Sequence, residues 1–262
     1  MAEQLFLRAD RLSHNGQPLS EILRAHEIWL ATNGEEGRSA DLKQANLSGA
    51  DLSEINLTHA NLQGAILMDA DLHNSILVHA KLREANLVEA RLARADLRNI
   101  ELAEANLMRA NLTESILIEA NLRGVSLRYA RLSAAKLASA DLSGANLIHA
   151  DLRQADFFKA ILTGARLGFA NLKSANLGLA DLTEADLSNA TLAQASFTGA
   201  ILKGARLDKA DLSHTNFAGA NLSGARGLVG KQFLNALTTK QTTLPNGSHG
   251  PYARGSTALR VL

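Results

Sequence analysis

Leucine or phenylalanine occupies every fifth position from Leu42 to Leu222 without interruption, and the positions beside it are mostly polar. Of these 37 pentapeptides, 31 carry alanine two residues before the large apolar side chain. Ala45-Asn46-Leu47-Ser48-Gly49 and Ala140-Asp141-Leu142-Ser143-Gly144 show the unit. A period of five suits neither regular element. On a helix, steps of five rotate the leucine by about 140° and leave no apolar face. On a flat strand, residues five apart point to opposite sides. A chain that turns a corner every five residues sends all the leucines to one interior. The pattern therefore predicts a solenoid, whose thin coils bury a core only by stacking on one another.

A second period, of twenty, lies over the first. Phe157, Phe197 and Phe217 share one register modulo twenty. Six units lack the alanine; four of them, at Ile55, Ser75, Ser115 and Thr215, fall in that same register, and Ile100 and Val125 are the others. One wall of a four-sided coil is expected to pack by its own rule. The unit resembles the A(D/N)LXX motif of the pentapeptide-repeat family over residues 40–224. That resemblance implies an all-β fold, a right-handed quadrilateral parallel β-helix with twenty residues per coil. At about 4.8 Å between coils, slightly more than nine coils give a rod roughly 43 Å long. Each inward leucine is expected to contribute about 1.5–3 kcal/mol by burial. Asp or Asn precedes the leucine in 22 of the 37 units, a side chain that bonds readily to nearby backbone and suits repeated tight turns.

An open solenoid exposes an apolar cross-section at each end, which calls for caps. The expected organisation is an N-terminal segment 1–39, the repeats 40–224, a C-terminal cap 225–245 and a disordered Gly, Ser and Pro-rich tail 246–262. Residues 19–32 read as an amphipathic helix with Ser20 as N-cap, Asn33-Gly34 as the stop, and Ile22, Leu23, His26, Trp29 and Leu30 as its apolar stripe. Leu228, Phe233, Leu234 and Leu237 suggest a second short helix over 228–237. Residues 1–18 carry no assignment.

Composition narrows the chemistry. With 4% aromatic residues and no cysteine, the core is aliphatic, and disulfide and thiol chemistry are excluded. No signal peptide and no membrane-spanning run is evident, so a cytoplasmic location is expected. Catalysis needs a nucleophile, a base and an orienting acid held in a cleft, and a convex rod offers rows instead. His59 and His79, twenty apart, should stack on one wall, but Asn99 follows them, so no third metal ligand is expected. No enzyme activity, cofactor or metal is expected.

The best-known members of the family protect topoisomerases by resembling DNA in size and acidity. Residues 40–226 carry 20 acidic and 19 basic residues, intermixed on all walls, and such a surface would not imitate a polyphosphate. A DNA-mimicking, gyrase-binding protection protein is thus the alternative to a non-catalytic scaffold for protein–protein interaction. Outward apolar residues fall in rows, as partner surfaces do. One row holds Met68, Val88, Met108, Tyr129, Ile148 and Phe169, the expected site of homodimer formation or of docking by a protein partner. Direct contact with nucleic acid or membrane is not expected. The opposite wall carries Ile76, Val78, Ile116, Ile118, Phe158 and Leu179. Scattered apolar residues are also normal on any surface, and strand positions tolerate Ile and Val.

Overall fold

The computed structural model describes residues 12–233 and 235–251. From residue 40 to 226 the chain is a right-handed, four-sided parallel β-helix. Parallel bridges run without a gap from Asp41–Asn61 to Arg206–Arg226, and each joins residues twenty apart. Every wall contributes one short extended stretch per coil, so the sheets consist of single bridges stacked along the rod rather than long strands.

One unit shows how the sequence dictates the corner. The Leu127 N–H donates to the Asn146 carbonyl one coil up at 2.7 Å, and the Tyr129 N–H to Ile148 at 3.1 Å. The Ser126 N–H reaches one coil down to Ala105 at 3.0 Å, and the Ala130 N–H returns to the Leu127 carbonyl at 3.1 Å, closing the turn. The N–H of the residue after leucine has no partner in the neighbouring coils. Asp or Asn supplies one: in all 22 units that have it, the side-chain Oδ1 accepts from the N–H two residues on, at 2.9–3.4 Å. The last residue of every unit is left-handed, with φ between 55° and 69°. Glycine fills nine of these 37 positions, and none of the rest is β-branched.

The interior is leucine and alanine, sealed throughout the repeats. The wall with its own rule is visible inside: Phe197 and Phe217 stack at 5.2 Å, and Phe233 beyond the repeats extends the column at 5.7 Å. The buried hydroxyls of that register are satisfied, Ser75 by the Leu72 carbonyl at 2.6 Å, Ser115 by Leu112 at 2.7 Å and Thr215 by Leu192 at 2.9 Å.

Two caps close the rod. At the start, β1 (Ser13–His14) and β2 (Gln17–Pro18) form a hairpin that feeds directly into α1 (Leu19–Ala31). Asn15 and Gly16 both have positive φ, as a two-residue hairpin turn requires. The expected cap at Ser20 is not used. Pro18 holds the N-cap position without a side-chain bond, because the hairpin already orients the helix and the Leu19 N–H donates to Leu12. Leu19, Leu23 and His26 are the buried face of α1. Gly37 lies so close beneath α1 that a Cβ there would run into the Ala25 carbonyl and the Trp29 amide.

At the far end the expected helix over 228–237 shortens to α2 (Gly230–Phe233). Leu237 is exposed and instead pairs with Asn216, and Thr243 pairs with Asn221, so the chain continues as one irregular coil over the last regular one. Leu228, Phe233 and Leu244 cover the cross-section; Leu234 lies outside the described residues. The stretch from 246, expected to be disordered, starts as a turn: the Leu244 N–H donates to Ser248 and the Gly250 N–H to Thr242. Unpaired backbone at the edge of the last coil gives this segment something to bond. Residues 252–262 of that expected tail lie outside the described residues.

Candidate functional site

The predicted row lies along one wall, but its members differ in exposure. Tyr129 is 45% and Phe169 56% exposed, and Met68 is also exposed. Val88, Met108 and Ile148 are half-buried between neighbours in the wall. The two rings belong to a column that the apolar pattern alone does not reveal. Tyr129, His149 and Phe169 occupy the left-handed corner of three successive coils, with φ of 59°, 61° and 60°. Their rings stack at 4.9 and 5.0 Å, with interplanar angles of 5° and 21°. The signal for His149 is its register, twenty residues from each partner. Fixed backbone, rather than side-chain packing alone, sets the ring spacing.

Charge surrounds the column unevenly. Arg128 lies 5.7 Å from the Tyr129 ring centroid. Arg109 bonds Glu89 at 3.1 Å. The wall segments 106–109, 126–129, 146–149 and 166–169 hold Arg109, Arg128 and Arg166 and no acidic residue. The corner that leads into this wall carries Gly124, Gly144 and Gly164; the Glu104 carboxylate lies against Gly124, and Gly144 and Gly164 present bare backbone. The opposite wall exposes Ile76, Phe158 and Leu179, with the Lys159 ammonium 5.4 Å from the Phe158 ring centroid, and its corner carries a stacked pair of rings, His59 and His79, close to the N-terminal cap.

Elsewhere the surface is mixed. Arg94–Glu114, Arg98–Asp96 and Arg153–Asp151 pair at 2.8, 2.6 and 2.6 Å. The Arg98 and Arg153 guanidiniums, through side-chain hydrogen bonds, hold the Asp96 and Asp151 carboxyls below the usual carboxylate range. Under the lid, His26 is 1% exposed, and its Nδ1 accepts the Ala40 N–H at 3.1 Å. Its ring stacks on Trp29 at 5.7 Å, and Trp29 meets His59 edge-on at 6.3 Å. Burial, and secondarily His59, pushes the His26 pKa down. His59 and His79 stack at 5.0 Å as their spacing requires, and no group of three or more His, Cys, Asp or Glu converges as a metal site among the described residues. A cavity of about 470 Å³ beside α1 is lined in part by His14, Glu21, Arg38, Ser39 and Asp41. There the Ser39 hydroxyl donates to the His59 carbonyl and His14 contacts Asn15, so no nucleophile–base pair forms. No helix among the described residues is long and apolar enough to cross a membrane.

Comparison with known proteins agrees with this architecture. The family model for pentapeptide repeats matches over residues 38–74, 65–102, 105–144, 135–168, 160–199 and 192–226. Among solved structures, HetL, a pentapeptide repeat protein involved in heterocyst differentiation regulation from the cyanobacterium Nostoc sp. strain PCC 7120, is 35% identical. That match covers 86% of this chain and 98% of HetL, with a TM-score of 0.77. A trypsin-treated form of QnrB1, a plasmid-mediated fluoroquinolone resistance protein, is 20% identical over 62% of this chain and 81% of its own, with a TM-score of 0.56, a likeness of fold. No curated protein matches by sequence.

Proposed function

This chain belongs to the pentapeptide-repeat family, and we propose that it acts as a rigid, non-catalytic scaffold in the cytoplasm that docks a protein partner along the wall bearing Met68, Val88, Met108, Tyr129, Ile148 and Phe169. The observation that carries this reading is the exposed, stacked column on that wall. Aromatic and methionine side chains are favoured at interfaces, and rings pre-ordered by a stiff backbone lose little freedom on binding. Similarity along nearly all of HetL, a protein involved in regulation, supports a regulatory role. Likeness to QnrB1 concerns the fold, and the balanced charge of this rod lacks the sustained acidity a substitute for DNA needs.

The test replaces Met108, Tyr129 and Ile148 together with serine. Partner capture from native lysate, and sedimentation of the purified protein for self-association, should both be reduced in the triple variant while circular dichroism is unchanged. Association that survives the change removes this wall from consideration. In parallel, the native protein added stoichiometrically to DNA gyrase should neither inhibit nor shield it; protection would establish the DNA-mimic reading instead.

A further inference from the structure

Three observations on the proposed docking wall converge on the chemistry of its partner. Stacked rings cover one another's faces, so the column turns its ring edges outward, and aromatic edges carry partial positive charge. Arg128 and Arg166 stand on the same stretch with no acid in ion-pair contact within 4 Å among the described residues; Asp186, one coil beyond Arg166, bridges Arg206 at 3.8 Å and also feels the charge of Arg166, so Arg128 is the less compensated of the two. The bare corner at Gly144 and Gly164, where an added Cβ would meet nothing within 4 Å, leaves the wall open from its other side. A chain lying along the rod axis can therefore rest between the glycine corner and the ring column.

We propose that this face binds an extended acidic segment of a protein partner, its carboxylates meeting Arg128 and Arg166 and its apolar side chains lying along the ring edges. The two arginines are two coils apart, roughly 10 Å along the axis. A polyproline II segment returns a side chain to the same side every three residues, about 9.3 Å. Acidic residues at every third position of such a segment match the spacing, and the preformed helix limits the ordering cost. This inference rests on the docking reading above and deepens it.

The test uses the full chain and a fluorescein-labelled peptide with three Glu-Pro-Pro repeats, followed by anisotropy at low ionic strength. Binding should weaken with added salt, as screened charges require. It should fall about tenfold in Arg128→Glu/Arg166→Glu and again in Tyr129→Ser/Phe169→Ser, while Leu179→Ser on the opposite wall leaves it unchanged. A Lys-Pro-Pro peptide should not bind. Equal binding of the lysine peptide, no binding of the glutamate peptide, or indifference to both pairs of changes overturns the proposal. Binding of an oligothymidylate as tight as the peptide's overturns it too, in favour of general polyanion attraction. Thermal unfolding checks each variant, and Arg128→Gln/Arg166→Gln replaces the charge reversal if that one unfolds. If the triple serine variant loses its partner while the arginine changes do not, the wall docks a partner that is not acidic, and only the present inference falls.

Discussion

At the last residue of each unit the backbone is left-handed whether or not the residue is glycine. Such a conformation costs a non-glycine residue about 1–2 kcal/mol, yet 28 of the 37 are non-glycine. It persists because 26 of these 28 residues are fixed from two sides, by the turn bond of their own corner and by their N–H on the coil above. Side chains without a branch at Cβ tolerate it, and branched ones clash with the following carbonyl. Glu119, with φ of 58°, is an exposed example. Glu119→Val is expected to lower stability by about 1–3 kcal/mol, and Glu119→Gly to be neutral or stabilising by up to about 1 kcal/mol. Urea unfolding midpoints measure both; a valine variant as stable as the glycine one would show that the corners relax freely. The rule is readable in the sequence, as the absence of Val, Ile and Thr from that column of residues, although the alanine–leucine contrast is the louder pattern. The bond from Asp or Asn is legible in kind, whereas its specific acceptor role toward the N–H two residues on needs the coil geometry that leaves that donor alone.

The lid is an element whose hold on the rod depends on protonation. Nδ1 of His26 accepts from Ala40, the first buried alanine of the stack, so the ring must be neutral; a proton on Nδ1 would set donor against donor. Burial first, and His59 second, keeps the folded pKa below the ordinary 6.5. The unfolded chain therefore takes up this proton first. Stability due to His26 is complete above about pH 6.5 and declines as pH falls through the lower folded value. Trp29, the only tryptophan, stacks on His26 and reports locally. Its fluorescence should change on acidification well before circular dichroism of the rod does, and His26→Gln should flatten that change. A midpoint unmoved by the substitution would exonerate His26. Helix α1 is legible from its stripe. The hairpin ahead of it escapes assignment although Asn15-Gly16 is a strong turn signal, because the flanking runs are only two residues long. The far cap is harder still: α2 is a single turn, and Leu237 is held by pairing with Asn216 rather than by burial, which no periodicity announces.

The whole molecule is a stack in which each coil meets only its neighbours, so a defect in the middle interrupts it twice. Leu127 is fully buried and its successor Arg128 exposed. Leu127→Ala is expected to cost about 2–5 kcal/mol, and Arg128→Ala no more than about 0.5 kcal/mol. Amide exchange should show protection falling most in the coils on either side of Leu127 and least near the caps; a uniform loss would mean the rod unfolds as one unit. Four units to a coil also convert chain length into angle. Because successive coils superpose their ladders at every twenty residues, gaining or losing twenty lengthens or shortens the rod and leaves all azimuths as they were. A change of five residues, although it preserves the motif, turns everything beyond it by a quarter revolution. Placed between Tyr129 and Phe169, such a change would carry Phe169 to a neighbouring edge and dismantle the column without disturbing a single turn. The phase of the helix, rather than its length, is then the quantity that selection on this surface must hold constant.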